Sequence, residues 1–172
     1  MKNILSPQGA LNSVYPCTGY LTFGPWIYLV PQYKPESILM LGYAGGTTAG
    51  LIKLFYGDDV KITGVDINIV DDPYNSNLIK MDAFEYLKNT NNFYDTIIVD
   101  IWNEKNEEPC DFVTLKEFVD VVEKKCNYLI IHASEKTNMS NYSQKKLLKT
   151  LALNNSRFYY FIINRVASLP IR

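Results

Sequence analysis

The feature that most constrains this chain is an alternation of short apolar runs with longer amphipathic ones. "YDTIIVDIW" (94–102) is a nearly continuous apolar run, the pattern expected of a strand covered on both faces. Ile38–Leu41, "KITGVDI" (61–67), "NLIKM" (77–81) and "NYLIIHA" (127–133) read as further strands. Thr48–Tyr56, ended by Gly57, reads as a helix, as do "DAFEYLKN" (82–89) and "NYSQKKLLKTLAL" (141–153). The stretch 112–125 has apolar residues at 112, 115, 118, 119 and 122, which is helical spacing. Strands and helices in this order predict an α/β fold with a mostly parallel sheet. "RFYYFIINRVASLPI" (157–171) reads as two strands turning near Asn164-Arg165, which predicts one antiparallel strand near the C-terminus.

Residues 1–34 read as an N-terminal arm. Turn residues and alternating aromatics in "SVYPCTGYLTF" suggest a short hairpin or an extended segment, and "PWIYLVPQY" one or two helical turns closed by Pro31. Residues 35–172 carry the sheet pattern without repeat or composition break, so a single Rossmann-like domain is expected there. Composition narrows the function. A net charge of −1 gives no general attraction to nucleic acid or acidic membranes. Three cysteines (Cys17, Cys110, Cys126), with no CxxC pair, argue against a disulfide framework or a zinc site and for a reducing, cytoplasmic setting. A single histidine, His132, rules out a multi-histidine metal centre, and no metal is expected. No apolar run reaches membrane-spanning length, and the N-terminus lacks a signal-peptide pattern, so no membrane association is expected.

In parallel sheets, ligands bind outside the carboxyl ends of the strands, so the residues at those ends are the informative ones. "ILMLGYAGGTTAGLI" (38–52) runs from a strand through Gly42, Gly45 and Gly46 into a helix. Such a turn lets backbone N–H groups and a helix N-terminus face a ligand, or it is simply a tight turn. The second strand ends at Asp66, about twenty residues on, where a carboxylate can accept bonds from ribose hydroxyls. The third ends at Asp82, which also suits a helix N-cap, with Glu85 completing a capping-box pattern. The fourth ends in Asp100-Ile101-Trp102-Asn103, a carboxylate beside a large aromatic, suited either to a polar ligand or to capping the next loop.

Taken in order, "ILMLGYAGGTTAGLI", "ITGVDIN", "IKMDAFEYL" and "YDTIIVDIW" resemble the class I S-adenosylmethionine-dependent methyltransferase fold, and within it the spermidine synthase-like branch. "EEPCDFVTLKEF" resembles that branch's next loop and helix, so the likeness runs from about residue 20 to the end. The resemblance implies that Gly42, Tyr43, Ala44, Gly45 and Gly46 pass beneath the amino-acid and ribose parts of S-adenosylmethionine or its decarboxylated form. It implies Asp66 on the ribose hydroxyls, Ile67 against the adenine, Asp82 on the adenine amino group and the Ala83 N–H on the ring. Asp100 would be the catalytic carboxylate, with Ile101 and Trp102 beside the cofactor. The partner would be a small-molecule acceptor.

Three departures keep other readings open. Polyamine synthases carry a second acid where this chain has Asn103, and an amide cannot pair with an ammonium as a carboxylate does. Only "INIVDDPYNSN" joins the second and third strands, too short for a usual crossover helix. One sheet face should be thinly covered there, and residues 67–77 should either exchange readily or lie in a homodimer contact. Only about thirty residues precede the first core strand, where spermidine synthases carry a long N-terminal β-domain. A methyltransferase leads, an aminopropyltransferase follows, and a non-catalytic scaffold or a Rossmann oxidoreductase are the other classes. Ala44 stands where the second glycine of Gly-x-Gly-x-x-Gly would be, which disfavours the last.

Overall fold

Leu39 and Leu41 point to one side of their strand while Ile38 and Met40 point to the other, and all four are buried, so this strand needs cover on both faces. The computed structural model, which describes residues 2–5, 11–15, 25–69, 72–101, 116–122, 124–134 and 157–163, supplies that cover. A hairpin of β1 (Lys2–Leu5) and β2 (Leu11–Tyr15) comes first, as a separate antiparallel pair. A 3-10 helix, Pro25–Leu29, follows it. Then come β3 (Ser37–Leu41), α1 (Thr47–Tyr56), β4 (Lys61–Asp66), β5 (Asn77–Lys80), α2 (Ala83–Asn89), β6 (Tyr94–Val99), α3 (Lys116–Val122), β7 (Cys126–Ser134) and β8 (Arg157–Ile163).

The main sheet has six strands in the order β5-β4-β3-β6-β7-β8, and every pairing is parallel. The antiparallel strand expected near the C-terminus is not seen among the described residues. The first half of its presumed hairpin, β8, instead lies parallel to β7, with Tyr128 opposite Arg157 and Ser134 opposite Ile163. The chain between β7 and β8 is long enough for a parallel return. The second half, 165–171, and the helix read at 141–153 lie outside the described residues.

The chain runs from β3 to β4 to β5 in one direction, then crosses back to β6 on the other side of β3. Crossovers keep one hand, so this reversal places helices on opposite faces. On one face α1 and the 3-10 helix bury Leu29, Ala49 and Ile52 against Ile38, Met40, Ile62, Ile98 and Ile130. On the other, α2 and α3 bury Leu87, Phe118 and Val122 against Leu39, Leu41, Val65, Ile97, Val99 and Leu129. Among the described residues, no helix is long and apolar enough to cross a membrane.

The short crossover contains no helix among its described residues, yet the sheet beneath it is not bare. Tyr43, from the turn after β3, lays its ring on β4, where a Cβ at Gly64 would meet it at 2.3 Å. Its hydroxyl donates to Asp72 Oδ1 at 2.6 Å and contacts Ser76 Oγ at 2.9 Å. Asp72 in turn accepts from the backbone N–H groups of Tyr74 and Ser76. Burial, then the Asp72 bond, push the Tyr43 hydroxyl far above the usual tyrosine range, so it remains a donor at any physiological pH. Tyr43→Phe keeps the ring and removes this latch. It should cost about 1.5–3 kcal/mol, the range for a hydrogen bond to a charged group. A urea midpoint equal to that of the wild type would show that the latch does not hold the crossover.

Candidate functional site

The strand order reverses between β3 and β6, and it is at such a switch point that an open parallel sheet leaves a crevice. The residues there are held by close backbone approach. Gly42 has φ +86, and a Cβ on it would stand 2.1 Å from the Asp100 carbonyl oxygen and 3.2 Å from Ile101 Cγ1. Its N–H donates to Val65 O at 2.9 Å, and the Asp100 N–H donates to Leu41 O at 2.8 Å. The ends of β3, β4 and β6 are thus stitched together at this glycine.

Beyond it the turn is tight. Ala44 has φ +48, a left-handed conformation that an L residue adopts at some cost. Gly46, with φ +75, caps α1 without a side-chain bond, and its N–H donates to Tyr43 O at 2.9 Å. The strained turn is held from β4. The Ala44 N–H donates to Asp66 Oδ2 at 2.8 Å, and the Asn68 N–H donates to Asp66 Oδ1 at 2.8 Å. Asp66 therefore shapes the glycine turn as well as standing beside it, a role that spacing alone did not reveal.

Asp82 follows β5 and caps α2, its Oδ1 accepting from the Phe84 and Glu85 N–H groups at 2.9 Å each. Glu85, read as the return arm of a capping box, has its carboxylate against Lys88 Nζ at 3.0 Å. Asp82 is tied to the rest through its neighbour, the Met81 N–H donating to Asp66 O at 3.2 Å. Two large apolar side chains stand exposed at this edge, Ile67 at 56% and Met81 at 43%. Ala83 is buried in the core, packed with Leu87 and Phe118.

The structure brings the glycine turn, Asp66, Ile67, Asp82, Asp100 and Ile101 to one edge of the sheet. It turns the Tyr43 side chain away from that edge and into the core, leaving only its backbone in the turn. Trp102 and Asn103 lie outside the described residues. Sequence reasoning missed one partner. His132, on β7, is buried, and its Nδ1 lies 2.5 Å from Asp100 Oδ1. Val99 pairs with Ile131, so the next residue on each strand stands beside the other. The available signal was that both residues close apolar runs on what become neighbouring strands.

Among the described residues the one cysteine is far from these strand ends. Cys126 sits at the opposite end of β7, and burial pushes its thiol up to about 12. Among the described residues, no group of three His, Cys, Asp or Glu side chains is arranged to hold a metal ion. A scan of the sequence against protein-family models finds no match, and a search of curated proteins finds none either.

Proposed function

We propose that this edge binds a nucleoside of the S-adenosylmethionine type and that the protein is a small transferase acting on a small-molecule acceptor. The observation that carries the reading is a run of four adjacent parallel strands, β5-β4-β3-β6, that spans the switch point, with a glycine turn after β3 and an aspartate closing or following each of the others. The residues suit such a group. A carboxylate can accept about four hydrogen bonds. Asp66 gives one lone pair to the Ala44 N–H and one, from its other oxygen, to the Asn68 N–H, so it retains capacity for the two hydroxyls of a ribose. Ile67 and Met81 offer apolar surface to a flat base, and exposed Asp82 stands beside them. When bound, the sulfonium centre would supply an activated alkyl group, methyl or aminopropyl. The protein's task is then mainly positioning, with Asp100 orienting an acceptor or taking its proton.

Calorimetric titration with S-adenosylmethionine, its decarboxylated form, methylthioadenosine and NAD tests the reading. Binding of NAD alone would replace it with an oxidoreductase. Within it, Asp66→Ala removes two charge-assisted bonds, each worth roughly 1.5–3 kcal/mol, so affinity should fall at least about tenfold. Asp66→Asn, which keeps an oxygen for the Ala44 N–H, should fall less and so separates ligand contact from turn support. Unchanged affinity in a folded Asp66→Ala protein would remove Asp66 from the site.

A further inference from the structure

Asp100 and His132 form a pair with an inside and an outside. The imidazole is 5% exposed and the carboxylate 16%, with Nδ1 2.5 Å from Oδ1. Of the two, the carboxylate is the more open to solvent. His132 Nε2 is sealed from solvent, so the imidazole is not placed to touch an acceptor itself. Around it β7 is apolar, with Leu129, Ile130 and Ile131 all buried. A leucine would fill such a position at lower desolvation cost than an imidazole set against a carboxylate. Bonding to a carboxylate also fixes the tautomer, because a carboxylate only accepts and the hydrogen must sit on Nδ1.

We infer that His132 is a positioning residue for the acceptor. Its Nδ1–H holds one oxygen of Asp100 and so sets the direction in which the carboxylate meets the N–H or O–H of an amine or alcohol acceptor. This rests on the transferase reading above and adds the acceptor class to it: a nucleophile that carries a donatable hydrogen, rather than a thioether or a tertiary amine.

The test uses the full chain, in which His132 is the sole histidine and gives a single imidazole nitrogen signal set. Nitrogen-15 NMR of the protein without ligand should show hydrogen on Nδ1. His132→Leu should lower kcat roughly 10–100-fold on amine or alcohol acceptors, the scale of a misplaced group. S-adenosylmethionine affinity by calorimetry should stay within about twofold. His132→Asn, whose amide N–H stands near the place of Nδ1, should recover most of the loss, which a merely space-filling role would not produce. An imidazole carrying hydrogen on Nε2 alone, a fully active His132→Leu, or a His132→Asn as impaired as His132→Leu would each overturn the proposal. Turnover restricted to acceptors without N–H or O–H would do the same. Wild-type protein that binds no sulfonium nucleoside would overturn the transferase reading and the acceptor with it. Binding accompanied by the wrong tautomer overturns this inference alone.

Discussion

Gly42→Ala should unfold the protein more readily than any other single-methyl addition at the strand ends. The added Cβ would fall 2.1 Å from the Asp100 carbonyl oxygen, well inside any tolerable contact, and would do so on a backbone at φ +86. The obstacle is main chain on a central strand, so a rotamer change cannot relieve it. Strained backbone costs about 1–3 kcal/mol and overpacking about as much again, so a loss of roughly 3 kcal/mol or more is expected. For a chain of this size that lowers the melting temperature by roughly 6–12 °C. Gly57→Ala is the control. Its φ of +93 is equally unsuited to alanine, but its nearest obstacle is the Asp59 side chain at 3.0 Å, which can move. Thermal unfolding of both variants should show Gly42→Ala as clearly the worse. Equal losses would mean that the two strands are not drawn together as tightly as described.

Asp100→Asn should have the opposite profile, little change in stability and a large change in chemistry. The amide keeps the shape and still accepts from His132, while losing the charge proposed to orient an acceptor or take its proton. Turnover should fall by roughly 10²–10⁴-fold, the usual range for removing a general base. Affinity for S-adenosylmethionine should change little, because the proposed nucleoside contacts are on Asp66 and Asp82. Initial rates set beside calorimetry separate the two effects. A fully active Asp100→Asn protein would sink the proposed role. Asn103→Asp is the companion variant: on the aminopropyltransferase reading, an acid placed there should raise any aminopropyl transfer to putrescine.

The acids at the strand ends were legible in the sequence because their signal is local. Asp66, Asp82 and Asp100 each close an apolar run, and the end of a run is visible without knowing its neighbours. The short crossover was legible for the same reason, as too few residues with no helical stripe. What compensates for it was not, because the Tyr43 ring reaches β4 and Asp72 only once the turn has bent through Ala44. Pairing was the other limit. That β8 lies parallel to β7, and that Asp100 stands beside His132, follow from register between segments far apart in sequence. Alternation of side chains along one strand carries no information about that. Asp66 shows the limit within a single residue: its position was legible, but its grip on the Ala44 N–H was not.

The meeting of β3 with β6 also bears on how the protein is made. Ser37 Oγ on β3 accepts from the Asp95 N–H on β6 across 58 residues, whereas β3 reaches β4 across a single helix. Loop closure grows costlier with the length of chain enclosed, and pairings between distant segments form slowly. The β3–α1–β4–β5 half can therefore gather early as the chain emerges, while the β3–β6 switch point exists only after the distant β6 has docked. A ligand seated there would bind the completed protein and not its precursor, drawing the folding equilibrium forward by mass action. On the proposed function, nucleoside added during refolding should then raise the yield of native protein without accelerating its earliest steps.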